Sequence, residues 1–440
     1  MALAGCASSA PGPSSSQAVT SASTVPTSSI LPGSAAPQAT VDRDTAWRAD
    51  IAALVPGMAA IHPSIAHSTT RGDLDAAAEV LSSRVGTATD DELMVGVLRI
   101  VAMVSAAGCD AHTGAFIWGA GRYPVDSLPL RLWLFAKDDG DDEVVVVDAL
   151  SPNEALIGAQ VTSVNGKPIA DVLQAIDPIV PRDNAQTVRL LTPRFLLIPQ
   201  VLRGLHLVDE GPVSLGIEAQ NGAPSTIDLE PIPMAEYNGW AGPYGLHLPA
   251  DPGVRYLSRI GDALWWEILD DGETLYVQYN RVDAAASSQL DQLQRALDDP
   301  AVARIALDIR HNFGGEVSAL DAITPILIDA ASAGTGRLFV ITGRNTFSAG
   351  SMLAARLLKD GKATIVGEPT GGCPTIWSDP EDLRLTNSGI VVSVAHDVAV
   401  GVDPNDPRLT IEPSVAAVLT HEAWAAREDP SMELFAVDKP

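Results

Sequence analysis

Residues 304–315 read RIALDIRHNFGG and residues 338–359 read LFVITGRNTFSAGSMLAARLLK, and these two stretches decide the fold class. Each begins with a short apolar run that is typical of a buried strand and continues into a polar, glycine-containing loop. Strand patterns of this kind alternate with helix patterns over residues 274–366, which predicts an α/β core with crossover connections. The predicted strands are Thr274–Tyr279, Arg304–Ile309, Leu338–Thr342 and Ala363–Val366, and the predicted helices are Ser287–Leu297, Leu320–Ile328 and Ser348–Lys359.

The hydrophobic period changes twice on the N-terminal side of this core. Between Asp44 and Gly114 the apolar residues recur at helical spacing, whereas short β-rich runs follow from Pro124 and include the turn signal Asn165-Gly166. We therefore predict four segments. They are a leader remnant with a Ser/Pro-rich tether (1–43), a helical domain (44–120), a β-rich domain (121–235) and the α/β core (236–440).

Composition limits the classes of function. The 440 residues are 46% hydrophobic and 19% charged, and no run of 18 uninterrupted apolar residues occurs, which predicts a soluble globular protein. The net charge of -27 would repel nucleic-acid phosphates, so we expect no nucleic-acid partner. The cysteines stand far apart at 6, 109 and 373 and no HExxH motif occurs, so no disulfide framework, metal or cofactor is expected.

Three polar loops follow predicted strands, where α/β proteins place their sites. The Gly314-Gly315 pair can turn with its amides exposed, as an oxyanion hole requires, or it can be only a turn. Ser348 stands at a helix start, where the backbone amides stabilise negative charge, but serine is also a common helix N-cap. The third loop, 366–374, reads VGEPTGGCP.

The order of these loops resembles the signature blocks of the S41 peptidases, the family of tail-specific processing proteases, tricorn protease and the interphotoreceptor retinoid-binding repeats. The matching patterns are Asp-x-Arg-x-Asn-x-Gly-Gly, Thr-x-Ser-Ala and Val-Gly-Glu-x-Thr-x-Gly. Residues 110–113 are similar to a further block that ends the family's helical domain, and 159–169 are similar to a segment of its PDZ-like domain. The resemblance implies a crotonase-like α/β core, a β-rich PDZ-like domain and an N-terminal helical bundle.

The resemblance assigns the nucleophile to Ser348, and the oxyanion hole to the amides of Ala349 and of Gly314 or Gly315. The lysine that serves as base in the tail-specific branch would stand 25 residues after the serine, but Cys373 occupies that position. A serine still needs a base near neutral pH.

His112 is similar to the histidine of the tricorn branch, so we expect it within hydrogen-bond reach of Ser348. With an ordinary pKa of about 6.5, this base would make activity rise between roughly pH 5.5 and 7.5. His311 is the second candidate base. The third role falls to Asp406, with Glu412 and Asp379 as competitors.

These residues predict a serine peptidase that cleaves peptides or proteins through an acyl-enzyme. The alternative is an inactive scaffold of the same family that binds a hydrophobic ligand or peptide. Loss of the lysine favours this alternative, whereas the presence of Ser348, His112 and the Gly-Gly loop opposes it.

The N-terminal residues Leu3-Ala4-Gly5-Cys6 resemble the cleavage site of bacterial lipoproteins, in which the cysteine is acylated. A Ser/Pro-rich stretch follows, as expected of a flexible tether. The charged and apolar regions of a signal peptide are missing before it, which we interpret as a truncated start. We therefore expect an extracytoplasmic lipoprotein that contacts the membrane only through a lipid on Cys6.

Overall fold

The structure is a computed structural model that describes residues 41–119, 123–137, 142–242, 246–332, 337–359 and 363–435. Cys6 and the predicted tether up to residue 40 lie outside the described residues. No helix in the described part of the chain is long and apolar enough to cross a membrane.

The chain begins with three helices, α1 (Arg43–Ile61), α2 (Arg71–Arg84) and α3 (Asp90–Val104). Reciprocal capping boxes start α2 and α3, in which Thr70 pairs with Asp73 and Thr89 pairs with Glu92. Nine residues of α3 are buried, so this helix is the centre of the helical segment.

A six-stranded antiparallel sheet follows, in the order β2-β3-β4-β6-β7 with β5 paired to β4. Asn165 and Gly166 have φ of 46° and 74° and close the β4–β5 turn, as the sequence predicted. Four helices also occur in the region predicted to be β-rich. The elements are β1 (Asp126–Ser127), β2 (Leu130–Ala136), β3 (Asp142–Ala149), β4 (Gln160–Val164), β5 (Lys167–Pro168), α4 (Ile169–Ile176), α5 (Ala185–Leu196), α6 (Pro199–Gly204), β6 (Val213–Glu218), β7 (Pro224–Leu229), β8 (Ile232–Pro233) and α7 (Met234–Ala241).

The remaining residues form the α/β core around a six-stranded sheet in the order β16-β13-β12-β11-β10-β9. The strands are parallel except β9, which is antiparallel to β10, so the predicted strand-helix alternation is confirmed. The elements are α8 (Arg255–Ser258), β9 (Leu264–Ile268), β10 (Thr274–Tyr279), α9 (Ala284–Ser287), α10 (Leu290–Leu297), β11 (Arg304–Asp308), α11 (Leu320–Ser332), β12 (Arg337–Thr342), α12 (Ala349–Lys359), β13 (Ala363–Gly367), β14 (Thr375–Arg384), β15 (Val391–Val400), β16 (Val415–Ala416) and α13 (His421–Ala425).

The β14–β15 hairpin connects the α/β core to the helical segment. Its residues Ile390, Val392 and Val394 are buried in one hydrophobic cluster with side chains of α1, α3 and the antiparallel sheet. The backbone of Ser393 also bridges Gly114, in the loop after α3. This loop, which carries His112, is therefore held against the α/β core by packing and by backbone hydrogen bonds.

Candidate active site

Ser348 lies on a strained turn between β12 and α12. Its φ is +52°, a left-handed conformation that costs a non-glycine residue on the order of 1–3 kcal/mol and is common at functional sites. The Phe347 amide holds this turn by donating to the Asn312 carbonyl at 2.9 Å. Among the described residues the Ser348 hydroxyl has no hydrogen-bond partner, so it does not act as the N-cap of α12.

The glycine loop after β11 packs directly on this turn. A Cβ on Gly314 would lie 2.7 Å from both the Ser348 Cβ and the Ala349 amide nitrogen, so only glycine fits there. The Gly314 amide donates to the Asn312 side chain at 2.9 Å and is already satisfied. The amides of Gly315 and Ala349, which the sequence also suggested for an oxyanion hole, donate no hydrogen bond within the described chain. These two amides are therefore available to a substrate oxygen.

His112 lies beside the serine turn, although it is more than 200 residues away in sequence. Its ring stacks on Phe347, the neighbour of Ser348, with ring centroids 4.9 Å apart and an interplanar angle of 24°. The side chain is buried, and neither ring nitrogen has a hydrogen-bond partner among the described residues. The expected hydrogen bond to the Ser348 hydroxyl is therefore not formed in this structure.

Burial also lowers the pKa of His112 to about 4, although the charge of Asp110 and the backbone of Trp377 oppose the shift. The sequence predicted a base with an ordinary pKa. The difference arises because the imidazolium would lie in a site that excludes water, where its charge is poorly solvated. At neutral pH the ring is uncharged, which is the form that a general base requires.

The third loop packs against the back of the serine turn. The Gly372 amide donates to the Thr346 carbonyl at 3.1 Å, and a Cβ on Gly372 would lie 3.0 Å from the Ser348 amide nitrogen. The next residue, Cys373, forms a disulfide with Cys109, with Cα atoms 5.5 Å apart. The prediction that the cysteines form no disulfide framework is therefore wrong. The two cysteines are 264 residues apart, so no local sequence pattern indicates that they pair, and the tertiary fold brings them together.

Asp183 is a second connection between these loops that the sequence did not reveal. Its carboxylate accepts from the amides of Ala111 at 2.6 Å and Cys373 at 3.3 Å, and its carbonyl accepts from the Cys109 amide at 3.0 Å. Burial raises the pKa of Asp183 to about 7, with a smaller contribution from the charge of Asp110, while the two amide bonds oppose the shift. The His112 loop and the Cys373 loop thus share one buried carboxylate and one disulfide.

Two more histidines surround Asp110 on the other side of the His112 loop. The Nε2 atoms of His62 and His67 lie 3.1 Å and 3.0 Å from the same Asp110 oxygen, and the ligand atoms of the three residues lie within 4.8 Å of one another. The Ser64 amide donates to the His62 Nδ1, which places the proton of that neutral ring on Nε2. The His62 Nε2 is thus a donor to Asp110, and the group fits a hydrogen-bonded carboxylate better than a set of metal ligands.

Among the described residues, no hydrogen bond or ion pair joins the other candidate residues to Ser348. Asp406 binds Arg408 and lies in a surface pocket with Lys359, at the C-terminal end of α12, whereas Ser348 precedes the N-terminal end of that helix. An 11-residue helix separates its ends by roughly 15 Å, so Asp406 is not placed to act on the serine. Glu412 and Asp379 are exposed. His311 is buried in a separate cavity, where it stacks on Tyr256.

Part of the sequence and the overall fold are similar to those of known proteins. The model of peptidase family S41 matches residues 329–400, the stretch that contains Ser348 and Cys373. No curated protein matches the sequence. The structure of mature CPAF complexed with lactacystin is similar with a TM-score of 0.60 and 12% identity, and the match covers 89% of this chain and 97% of that chain. A second structure of mature CPAF gives 0.58 and 12%, over 89% and 95% of the two chains. The photosystem II D1 C-terminal processing protease gives 0.41 and 15%, over 86% and 94%.

The site thus combines a mixed α/β fold with a serine on a strained turn, between a parallel strand and an apolar helix. The likeness to CPAF shows the shared fold, and the family model covers the segment with the serine. The resemblance to peptidase family S41 that the sequence shows is thus confirmed by the family model over residues 329–400.

Proposed function

We propose that the protein cleaves peptides or proteins through an acyl-enzyme on Ser348. The hydroxyl oxygen attacks the scissile carbonyl, its proton passes to His112, and the same histidine returns the proton to the leaving amine. The observation that carries this proposal is the meeting of three distant segments at one turn. Ser348 adjoins Gly314 on one side, and its neighbour Phe347 stacks on His112.

The negative charge on the tetrahedral intermediate would be stabilised by the amides of Ala349 and Gly315. Ala349 is the first residue of α12, so the helix dipole adds to the effect of its N–H. Removal of one such donor from a serine hydrolase typically costs about a hundred- to a thousand-fold in kcat. Because His112 and Ser348 are not hydrogen-bonded here, the proposal requires that their contact forms when substrate binds, as is common for catalytic hydrogen bonds in unliganded enzymes.

For the fold we propose the finer assignment that the family resemblance implies. The parallel sheet with α11 and α12 would be the crotonase-like core, and the sheet β2-β3-β4-β6-β7 with its Asn165-Gly166 turn would be the PDZ-like domain.

A fluorophosphonate probe tests the nucleophile. We expect the wild-type protein to be labelled and Ser348→Ala to remain unlabelled. Ser351→Ala is the matched control because Ser351 lies only three residues after Ser348, in the first turn of α12, but is fully buried and donates to the Thr346 carbonyl. Equal labelling of the wild type and Ser348→Ala would refute the proposal.

The base is tested separately with His112→Gln and His311→Gln. We expect His112→Gln to lose peptidase activity by several orders of magnitude and His311→Gln to retain far more of it. A ligand-binding scaffold without catalysis is the second candidate function. It is favoured by the unpaired nitrogens of His112 and by the disulfide at the position of the family lysine. If the wild type shows neither probe labelling nor peptide cleavage, the result would favour the ligand-binding scaffold.

We further propose that the native protein is an extracytoplasmic lipoprotein with its lipid on Cys6. The lipoprotein-like residues 3–6 support this, and so does the disulfide, because disulfides persist mainly in oxidising compartments. Mass spectrometry of the protein from its native cells should find the mature chain starting at an acylated Cys6. Recovery of the native chain from the cytosol with residue 1 intact would contradict the proposal.

A further inference from the structure

A separate cavity with a mainly apolar lining lies at the carboxyl ends of β11, β12 and β13, and Ser348 is not among its lining residues. Its volume is about 50 Å³, which is room for a group such as a carboxylate. It is lined by residues of the three loops that follow β11, β12 and β13. His311 comes from the glycine loop, Arg344 and Asn345 come from the loop that leads to Ser348, and Glu368 comes from the third loop.

Arg344 is the most unusual residue of this cavity. It is 2% exposed, its guanidinium stacks 4.5 Å above the centroid of the Trp133 ring, and its Nη1 donates to the Leu134 carbonyl at 2.6 Å. Its Nε and Nη2 atoms have no hydrogen-bond partner among the described residues. These two nitrogens form one edge of the guanidinium, the edge that binds both oxygens of a carboxylate side by side.

Glu368 neutralises only part of this edge, because it forms an ion pair with Nη2 while Nε has no partner among the described residues. Glu368 Oε2 lies 3.5 Å from Nη2, and the other oxygen of Glu368 accepts from the Leu419 amide. Burial and, to a smaller extent, the charge of Arg189 lower the pKa of Arg344 to about 10, while Glu368 opposes the shift. The guanidinium therefore remains protonated at neutral pH. Arg310 also lines the cavity, but it pairs with Asp308 and Asp429 and offers no free charge.

Two further buried side chains at this cavity carry polar atoms that have no partner among the described residues. The Asn345 amide group donates to the Leu246 carbonyl at 3.0 Å, while its Oδ1 accepts nothing among the described residues. His311 is 6% exposed, and both its ring nitrogens are unpaired. Buried polar atoms in folded proteins are nearly always hydrogen-bonded, so the unpaired donors of Arg344 and of the His311 ring indicate an acceptor group that would satisfy them. The Asn345 Oδ1 is itself an acceptor and would not bind a carboxylate.

We propose that this cavity binds a carboxylate of the peptide substrate, with two oxygens on the Nε and Nη2 edge of Arg344. The proposal rests on the peptidase function, because Arg344 precedes the nucleophile by four residues in the same loop. The carboxylate could be the C-terminus of the peptide or the side chain of an aspartate or glutamate. Both present the same planar acceptor, and the test separates them.

The experiment measures binding to the Ser348→Ala protein by calorimetry, so that no hydrolysis takes place. N-acetylglycine is compared with N-acetylglycinamide for a terminal carboxylate. N-acetylaspartate N-methylamide is compared with its asparagine counterpart for a side-chain carboxylate. We expect at least one acid to bind more tightly than its uncharged partner, by about ten- to a hundred-fold, as is typical of a charge-assisted pair. The acid that shows the larger preference identifies the source.

In the same background we expect Arg344→Gln to remove this preference. Arg344→Lys keeps the positive charge but lacks the two parallel N–H donors of the guanidinium, so it should weaken the preference for the acid by about ten-fold. Arg356→Gln is the matched control because Arg356 lies on α12 and pairs with Asp321 at the surface. If Arg344→Gln does not fold, Arg344→Lys still decides.

Equal binding of acids and amides, no saturable binding of either acid, or an unchanged preference in the Arg344 variants would overturn the carboxylate site. These outcomes are independent of fluorophosphonate labelling of Ser348, so a failure of this site and a failure of the peptidase proposal can be told apart.

Discussion

Replacement of both Cys109 and Cys373 by serine should destabilise the protein and reduce its activity. The disulfide closes a loop with a sequence separation of 264 residues. In the chain-entropy description, a loop of that length restricts the unfolded chain by about 5–6 kcal/mol at 25 °C, near the upper end of the effects observed for disulfides. This is a large fraction of the total stability of a typical domain, about 5–15 kcal/mol.

The effect on activity follows from the position of the bond. Cys109 precedes His112 by three residues, and Cys373 follows Gly372, which packs on the Ser348 backbone. Loss of the bond removes the covalent link between the loop of the proposed base and the loop that supports the nucleophile. We therefore expect kcat to fall more than KM rises, because the geometry of the reacting groups is changed and not the binding surface.

Urea denaturation followed by circular dichroism measures the stability, and steady-state hydrolysis of a peptide measures kcat and KM. The double variant is compared with the wild type and with Cys6→Ser, which controls for replacement of a cysteine outside the disulfide. A loss of less than about 1 kcal/mol, with kcat unchanged, would refute the reasoning that this bond holds the two loops together.

Three further outcomes follow from the structure. Because burial lowers the pKa of His112 to about 4, kcat/KM should stay constant from neutral pH down to about pH 5 and fall with a midpoint near 4, and an acid limb near 6.5 in the pH profile would contradict this. Because burial raises the pKa of Asp183 to about 7, its stabilising contribution is complete below the unfolded value of about 3.8 and is lost as the pH rises through about 7. The free energy of unfolding from urea titrations should therefore fall between about pH 4 and 7 by on the order of 4 kcal/mol at most and level off above about pH 7, and Asp183→Asn should remove this fall; equal slopes in the two proteins would speak against it. Gly314→Ala should abolish fluorophosphonate labelling while the circular dichroism spectrum stays native, since its Cβ would lie 2.7 Å from that of Ser348; full labelling of this variant would show that the loop can move aside.

Local sequence patterns were sufficient to predict the α/β core and the candidate nucleophile. Strand and helix patterns depend on the apolar spacing of neighbouring residues, so β10 to β13 and the helices between them could be predicted from local sequence. The serine was recognisable because its loop, the Gly314-Gly315 loop and the Cys373 loop follow successive parallel strands. The carboxyl ends of such strands lie at one edge of the sheet, whatever the remainder of the chain does.

Which residues from distant parts of the sequence meet at that edge depends on the tertiary structure. The Cys109–Cys373 disulfide, the carboxylate of Asp183 between two loops and the burial of Arg344 depend on contacts between segments with no local pattern in common. The low pKa of His112 has the same origin, because desolvation depends on what covers a side chain and not on its neighbours in sequence. Asp406 is the opposite case. The sequence suggested it as a site residue, but in the fold it lies at the opposite end of α12 from Ser348.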